Sequence, residues 1–190
     1  MNANCCIKNG LKLGIVSGLI AFVLSMLSWM VLPWHEAQMH TFKDSKAVAK
    51  VLTENTNGSG IYSFPCKMKD PKNAIEKPFV FLAVHADGFH AEDMPKAMGM
   101  SLLVQIISFS LIAMLLSQTS GLAYWCKVKF TALAAVAGGI QVLMDSIWCG
   151  FPWDYTGLIL LEQCVIAAIA GMFLAKFVKT KDDIASCTVS

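Results

Sequence analysis

The chain has 190 residues, of which 56% are hydrophobic and 15% charged, and its formal net charge is +2 at pH 7. This composition suits several membrane spans and one modest extramembrane region rather than a soluble domain. The Lys residues are mixed with Asp and Glu and form no basic block, so nucleic acid is not an expected partner.

Four long apolar stretches predict four transmembrane helices. Each has roughly 19–22 residues, which is enough at about 1.5 Å per residue to cross a hydrocarbon core of about 30 Å. The expected fold class is an all-α membrane protein, a four-transmembrane-helix bundle with a small α+β exported domain between the first and second spans. The expected layout is a cytoplasmic N-terminus (1–12), the first span (13–32), an exported, periplasmic loop domain (33–97), the second span (98–117), a cytoplasmic loop (118–129), the third span (130–148), a short exported loop (149–155), the fourth span (156–177) and a cytoplasmic tail (178–190).

The first span is expected to be retained rather than cleaved as a signal peptide. Its apolar run is longer than the usual length of about 7–15 residues, and no small-x-small cleavage site follows it. Gly10 just before this span and Gly14 and Gly18 within it follow four-residue spacing, and similar small residues recur in the third and fourth spans. Because such spacing lets helix backbones approach closely in lipid, we expect packing within one bundle rather than a dedicated dimer face.

The distribution of Lys predicts the orientation of the spans. Both termini and the loop 118–129 carry Lys, whereas the short loop 149–155 carries none. Since Lys-rich short loops stay in the cytoplasm, both termini are expected to be cytoplasmic. The segment 33–97 is too long for its charges to decide its location, and it is expected to lie outside the membrane on the opposite side.

A short amphipathic helix is expected early in the exported segment. Thr41 and Asp44 could begin it as a weakened capping box, with Asp in place of Glu or Gln. The residues that follow alternate between an apolar and a Lys-rich face with helical spacing. Residues 55–60 have turn chemistry and should end the helix.

Two strands are expected to complete the exported domain. Residues 61–64 and 79–85 are aromatic and β-branched, as is typical of short strands. Two strands and one helix are marginally stable alone, so we expect the domain to rest on the outer ends of the spans. Trp34 and Trp153 are the expected interfacial anchors.

Polar residues inside the spans are the first candidates for a functional site. They are Gln105, Gln141, Asp145, Glu162 and Gln163. Asp145 and Glu162 are expected at similar depths on helices joined by a short loop, where two carboxylates could not both ionise cheaply and would share a proton. The functional interpretation is a proton- or cation-linked site, and the alternative is a hydrogen-bonded structural pair or carboxyls that reach the interface.

Histidines are the second group of candidates. All four, His35, His40, His85 and His90, fall in the exported segment, and imidazole suits Zn or Cu. The spacing between His35 and His40 does not place them on one helix face, so a metal site would need the chain to bring the two pairs together. The alternative is four ordinary loop histidines.

Cysteines give no redox motif. The seven Cys form no C-x-x-C, and only Cys66 and Cys149 are expected on the exported side or at its membrane edge. A disulfide between them would fit this location on the oxidising side, although two separate thiols are favoured.

Several short segments resemble a known group of proteins. SWMVLPWHE at 28–36, GIYSFP at 60–65, GFP at 150–152 and YT at 155–156 are similar to an uncharacterised family of four-span bacterial inner-membrane proteins. The resemblance implies the four-span layout and a bacterial inner membrane, and it transfers no catalytic residue because that family has no assigned activity.

The functional expectation is a non-enzymatic multi-pass membrane protein that binds or organises an envelope protein through its exported domain, with the lipid bilayer as its other partner. No cofactor is expected: a b-type cytochrome would need His within the spans, and a disulfide-generating enzyme would need paired exported Cys. The alternatives are a small proton- or cation-linked transporter that uses the intramembrane carboxyls, and an exported metal-binding module.

Overall fold

The structure is a computed structural model that describes residues 3–65 and 78–180, with side chains described from residue 9 onward. The helices are α1 (Ala3–Val31), α2 (Trp34–Ala37), α3 (Ser45–Asn55), α4 (Asp93–Ser117), α5 (Tyr124–Gly139), α6 (Leu143–Cys149) and α7 (Trp153–Phe177), and the strands are β1 (Gly60–Phe64) and β2 (Val80–Val84). Four helical segments are long and apolar enough to cross a membrane: Asn9–Val31, Asp93–Ser117, Tyr124–Cys149 and Trp153–Phe177. The predictions of a mostly helical chain with four candidate spans and a small sheet are confirmed.

The first two spans form a close antiparallel pair. The Cα of Ser110 on α4 occupies the place that a Cβ on Gly14 of α1 would need, and a Cβ on Gly18 would lie 2.5 Å from the Cα of Ile106. Glycine at these positions is therefore required by the approach of the two backbones. This confirms that the small residues of the first span pack within the bundle.

The third and fourth spans form a second antiparallel pair. Gly171 of α7 faces Thr131 of α5, and near the other end the hydroxyl oxygens of Ser146 and Thr156 are 2.7 Å apart. The two pairs are joined mainly where α1 packs against α7, whereas α4 and α5 touch only sparsely. The core lies between α1, α4 and α7.

The third span is not one continuous α-helix. It changes to a 3-10 turn over Ile140–Val142, directly after Gly138 and Gly139, and then continues as α6. A 3-10 stretch within a long helix is a common site of bending. Gly150 then ends α6 in the left-handed conformation with φ of 74°, which a residue with a side chain would adopt only with strain.

The segment between the first and second spans contains the expected helix and strands. β1 and β2 pair antiparallel, with Tyr62 opposite Leu82. The N-cap of α3 is Asp44, whose carboxylate accepts a hydrogen bond from the backbone N–H of Ala47 at 2.9 Å. The capping box expected to start at Thr41 is therefore wrong, because Asp44 caps a helix that begins at Ser45.

The hairpin meets the bundle at one end, which we call the hairpin end. There α1 and α6 finish, α4 and α7 begin, and the ring of Phe79 packs over Gly150. Trp153 at the start of α7 is exposed, as an interfacial anchor requires. Trp34 is instead turned toward α1, where its indole N–H donates to the hydroxyl of Ser28 at 3.1 Å.

Candidate functional site

A chain reversal after the first span carries a histidine back into the bundle. Pro33 precedes the short helix α2 and reverses the direction of the chain. His35 on α2 is only 1% exposed, and its imidazole lies on the indole of Trp29 with the ring centroids 3.8 Å apart. The reversal thus places a titratable ring from a loop against the last turns of α1.

Glu162 of α7 is the partner of that ring. Its residue exposure is 6%, and its Oε2 lies 3.4 Å from Nε2 of His35. The same Nε2 lies 3.3 Å from the hydroxyl oxygen of Ser28, which in turn accepts from Trp34. Three elements, α1, α2 and α7, therefore converge on one buried imidazole nitrogen.

Two polar atoms of this pair have no hydrogen-bond partner among the described residues. They are Oε1 of Glu162 and Nδ1 of His35. A buried polar group without a partner costs about 1–3 kcal/mol, so such groups are rare in proteins unless they have a use. An ionisable residue inside a spanning helix is in addition costly to insert.

The geometry allows one proton to sit on either side of the contact. A protonated Glu162 can donate to an unprotonated Nε2 of His35, and a protonated Nε2 can donate to the Glu162 carboxylate. The distance of 3.4 Å is longer than the 2.7–2.9 Å of a tight charge-assisted bond, so a small approach would be needed for transfer. The face of Trp29 stacked on the ring is compatible with either form, because an indole face also attracts a cation.

A cavity of about 550 Å³ opens beside the pair and is lined by all four spans. Its size is within the range of small-molecule sites, about 300–1,000 Å³. Most of its wall is apolar, and its polar lining side chains are Ser25, Gln105, Ser108, Glu162 and Gln163. It combines apolar walls with a few convergent polar groups, as ligand-binding cavities do.

The structure brings together only part of the intramembrane set expected from the sequence. Gln105, Glu162 and Gln163 line the same cavity, whereas Asp145 is exposed and Gln141 is exposed in the 3-10 turn. No hydrogen bond or ion pair joins Asp145 and Glu162 among the described residues, and Glu162 contacts His35 instead.

The antiparallel register of the last two spans explains why Asp145 and Glu162 are apart. Gly139 faces Gln163, and Ser146 faces Thr156. Glu162 is thus level with the residues beside Gly139, while Asp145 lies more than one helical turn nearer the hairpin end.

The four histidines are also separated. His35 is buried, and His40, His85 and His90 are exposed. Within residues 3–65 and 78–180, no group of three or more His, Cys, Asp or Glu side chains is placed to hold a metal ion. Cys149 is a half-buried free thiol, and Cys66 lies outside the described residues.

Sequence reasoning treated His35 and Glu162 as members of two different candidate sites. A long-range contact between a loop residue and a helix residue has no spacing signal along the chain. The available signal was chemical: a carboxyl within a span needs a partner, and His35 is the histidine closest in sequence to a span predicted from the sequence.

Comparison of the chain with models of known protein families, with curated proteins and with solved structures finds no match.

Proposed function

We propose that this chain is a small proton-linked membrane transporter in which Glu162 and His35 hold the coupling proton. The observation that carries the proposal is the placement of Glu162. It is a buried carboxyl within a spanning helix, it contacts an imidazole, and it lines a cavity of about 550 Å³. Carboxyl and imidazole groups at membrane depth are typical of proton relays in transporters.

The proposed cycle links the position of the proton to the occupant of the cavity. With the proton on His35, the Glu162 carboxylate presents Oε1 as a strong acceptor to a solute in the cavity. With the proton on Glu162, the carboxyl turns its donor toward His35 and holds the solute less firmly. A solute that prefers one form therefore shifts the proton equilibrium, and the converse follows by linkage.

The 3-10 turn in the third span supplies a place for movement in this proposal. Ile140–Val142 follows Gly139, which faces Gln163 at the cavity wall. Bending at this turn would move α6 relative to α5 without disturbing the tight pairing of α1 with α4. Such bending would open or close the cavity toward the hairpin end, while the rest of the bundle stays in place.

A pH jump tests the proposal without knowledge of the solute. Proteoliposomes adsorbed on a solid-supported membrane would be switched rapidly between two pH values, and the transient charge displacement would be recorded. Wild-type protein should give a displacement that Glu162→Gln strongly reduces, because His35 is then the only proton acceptor left at the site. Asp145→Asn is the matched control, since it makes the same chemical change at an exposed carboxyl and should keep the signal.

Equal displacements from wild type and Glu162→Gln would overturn the proposal, provided that both proteins elute as the same folded species. The pH-jump experiment on His35→Gln is a second test of the same site. This substitution should alter the amplitude or rate of the displacement, because the proton then has one acceptor in place of two.

A second candidate function rests on the segment between the first two spans. The side chains of Phe42, Val51, Ile61, Phe64 and Phe81 remain exposed although they are large and apolar. Exposed apolar side chains on a small extramembrane unit favour a protein partner. We propose that this segment is the exported domain of a bacterial inner-membrane protein with both termini in the cytoplasm, and that it binds another envelope protein.

Crosslinking in native membranes followed by purification tests the partner. A specific partner should no longer co-purify with the Val51→Glu and Phe64→Ser variants, and it should still co-purify with Glu162→Gln. A partner that still co-purifies with both of these surface variants is not bound by this segment.

A further inference from the structure

We infer that the cavity binds an uncharged amphiphile with a hydroxyl head group, which enters sideways from the bilayer between α4 and α5. This inference deepens the proposed function and rests on it, because it names the class of solute that the Glu162 site would take.

The cavity is polar at one end and apolar at the other. Along α7, Glu162 and Gln163 precede Ile166 and Ala167 by about one turn, and along α4, Gln105 precedes Ile112 by about two turns. Both helices begin at the hairpin end, so the polar part of the cavity faces that end. The apolar part extends away from the hairpin end along α4 and α7. A lipid-soluble molecule with its head near Glu162 and its tail pointing away from the hairpin end matches this gradient.

The side of the cavity is open between the second and third spans. Val104 and Leu111 of α4 line the cavity, yet they are 57% and 53% exposed on the outside of the bundle. Gly138 of α5, across the gap, is also exposed and has no side chain to close it. In a membrane this opening faces lipid tails, so a molecule dissolved in the bilayer reaches the cavity without crossing water.

The chemistry of the head group is inferred from the buried polar atom that lacks a hydrogen-bond partner. Oε1 of Glu162 is a buried acceptor that no described donor satisfies, and a hydroxyl supplies one donor at little desolvation cost. When His35 holds the proton, an ammonium head would add a second positive charge beside a single carboxylate and leave a net charge in an apolar cavity. A carboxylate head would repel Glu162. An alcohol or phenol avoids both costs.

Binding of a phenol and its methyl ether separates head-group recognition from partitioning. Tritiated 4-octylphenol would be bound to the purified full-length protein in detergent in a scintillation proximity assay and displaced by unlabelled 4-octylphenol or 4-octylanisole. We expect one saturable site per chain and about tenfold weaker competition by the ether. The ether has no hydroxyl hydrogen to donate in a hydrogen bond to Glu162.

Two variants with a matched control locate the site. Leu111→Trp places a bulky ring in the opening and should weaken 4-octylphenol at least tenfold, whereas Leu115→Trp, one turn further along the same exposed face and outside the cavity lining, should not. Glu162→Leu should reduce the affinity for the phenol to that for the ether. Both Trp changes are on the bundle surface, so they test the site even if Glu162→Leu does not fold.

Equal competition by phenol and ether, or no effect of Leu111→Trp, would overturn the inference. Either result would leave the pH-jump displacement of wild-type protein unchanged, so the proton-linked function would stand with another solute. The opposite result is saturable binding of the phenol together with a pH-jump charge displacement that does not depend on Glu162. It would support the proposed class of ligand and contradict the proton-linked function.

Discussion

The imidazole of His35 lies flat on the indole of Trp29, with an interplanar angle of 8°. The two rings belong to different helices, and the reversal at Pro33 folds the second back over the first. The stack fixes the plane of the imidazole, and within that plane Nε2 points toward Glu162 and Ser28. Because Nε2 is the atom that meets Glu162, Trp29 acts as a positioning residue for the buried pair.

Loss of the stack between Trp29 and His35 should lower the free energy of unfolding. Trp29→Leu is expected to lower the free energy of unfolding by about 1 kcal/mol, since stacked aromatic pairs contribute roughly 0.5–1.5 kcal/mol beyond their buried area. Equilibrium unfolding in mixed micelles with increasing SDS measures the change. Trp148→Leu is the control: Trp148 is 78% exposed, and the change should stay within about 0.5 kcal/mol. An equal loss in both variants would contradict a specific role for the stack.

Removal of the carboxyl and removal of the imidazole should have opposite effects. Glu162→Leu eliminates an acceptor with an unpartnered oxygen and keeps the volume, so stability should be unchanged or higher by about 1–3 kcal/mol. His35→Ala leaves the carboxyl of Glu162 buried without its partner and should lower stability by roughly 3–5 kcal/mol if the carboxyl stays charged. The same unfolding assay compares the two variants. Equal destabilisation by both would mean that the pair is a net stabilising structural contact.

Two glycines should respond with opposite sign to the same substitution. Gly14→Ala puts a Cβ where the Cα of Ser110 lies, so the backbones of α1 and α4 must separate, at a cost of about 1–3 kcal/mol. Gly99→Ala on α4 meets nothing within 4 Å and should gain up to about 1 kcal/mol from helix propensity. Thermal unfolding in detergent reads both changes. A neutral Gly14→Ala would show that the two helices are not packed this closely.

The orientation expected from the Lys distribution can be tested by labelling. A single-Cys variant that retains Cys66 should react with an impermeant maleimide in intact spheroplasts, because residues 33–97 are expected to be exported. A variant that retains Cys187 should react only after the membrane is permeabilised. Both residues lie outside the four spans predicted from the sequence. The reverse labelling pattern would invert the topology.

Hydropathy along the chain was sufficient to predict the four candidate spans, and turn and strand chemistry was sufficient for α3 and the hairpin. These features depend on residues that are near neighbours in sequence, so their signals are local. The close approach at Gly14 and Gly18 was also predictable, because four-residue spacing of small residues marks one face of a single helix.

The sequence indicated Gln105, Glu162 and Gln163 as candidates, but tertiary structure decided which residues come together at the site. Asp145 and Glu162 were expected together because both stand near the same loop, but the register of α5 and α6 against α7 places them at different levels. His35 was expected in a loop, but a reversal at Pro33 and a stack on Trp29 carry it against Glu162. Composition and periodicity report which face of a helix is apolar. They do not report how far one helix slides along another or where a loop folds back, because those depend on contacts between distant parts of the chain.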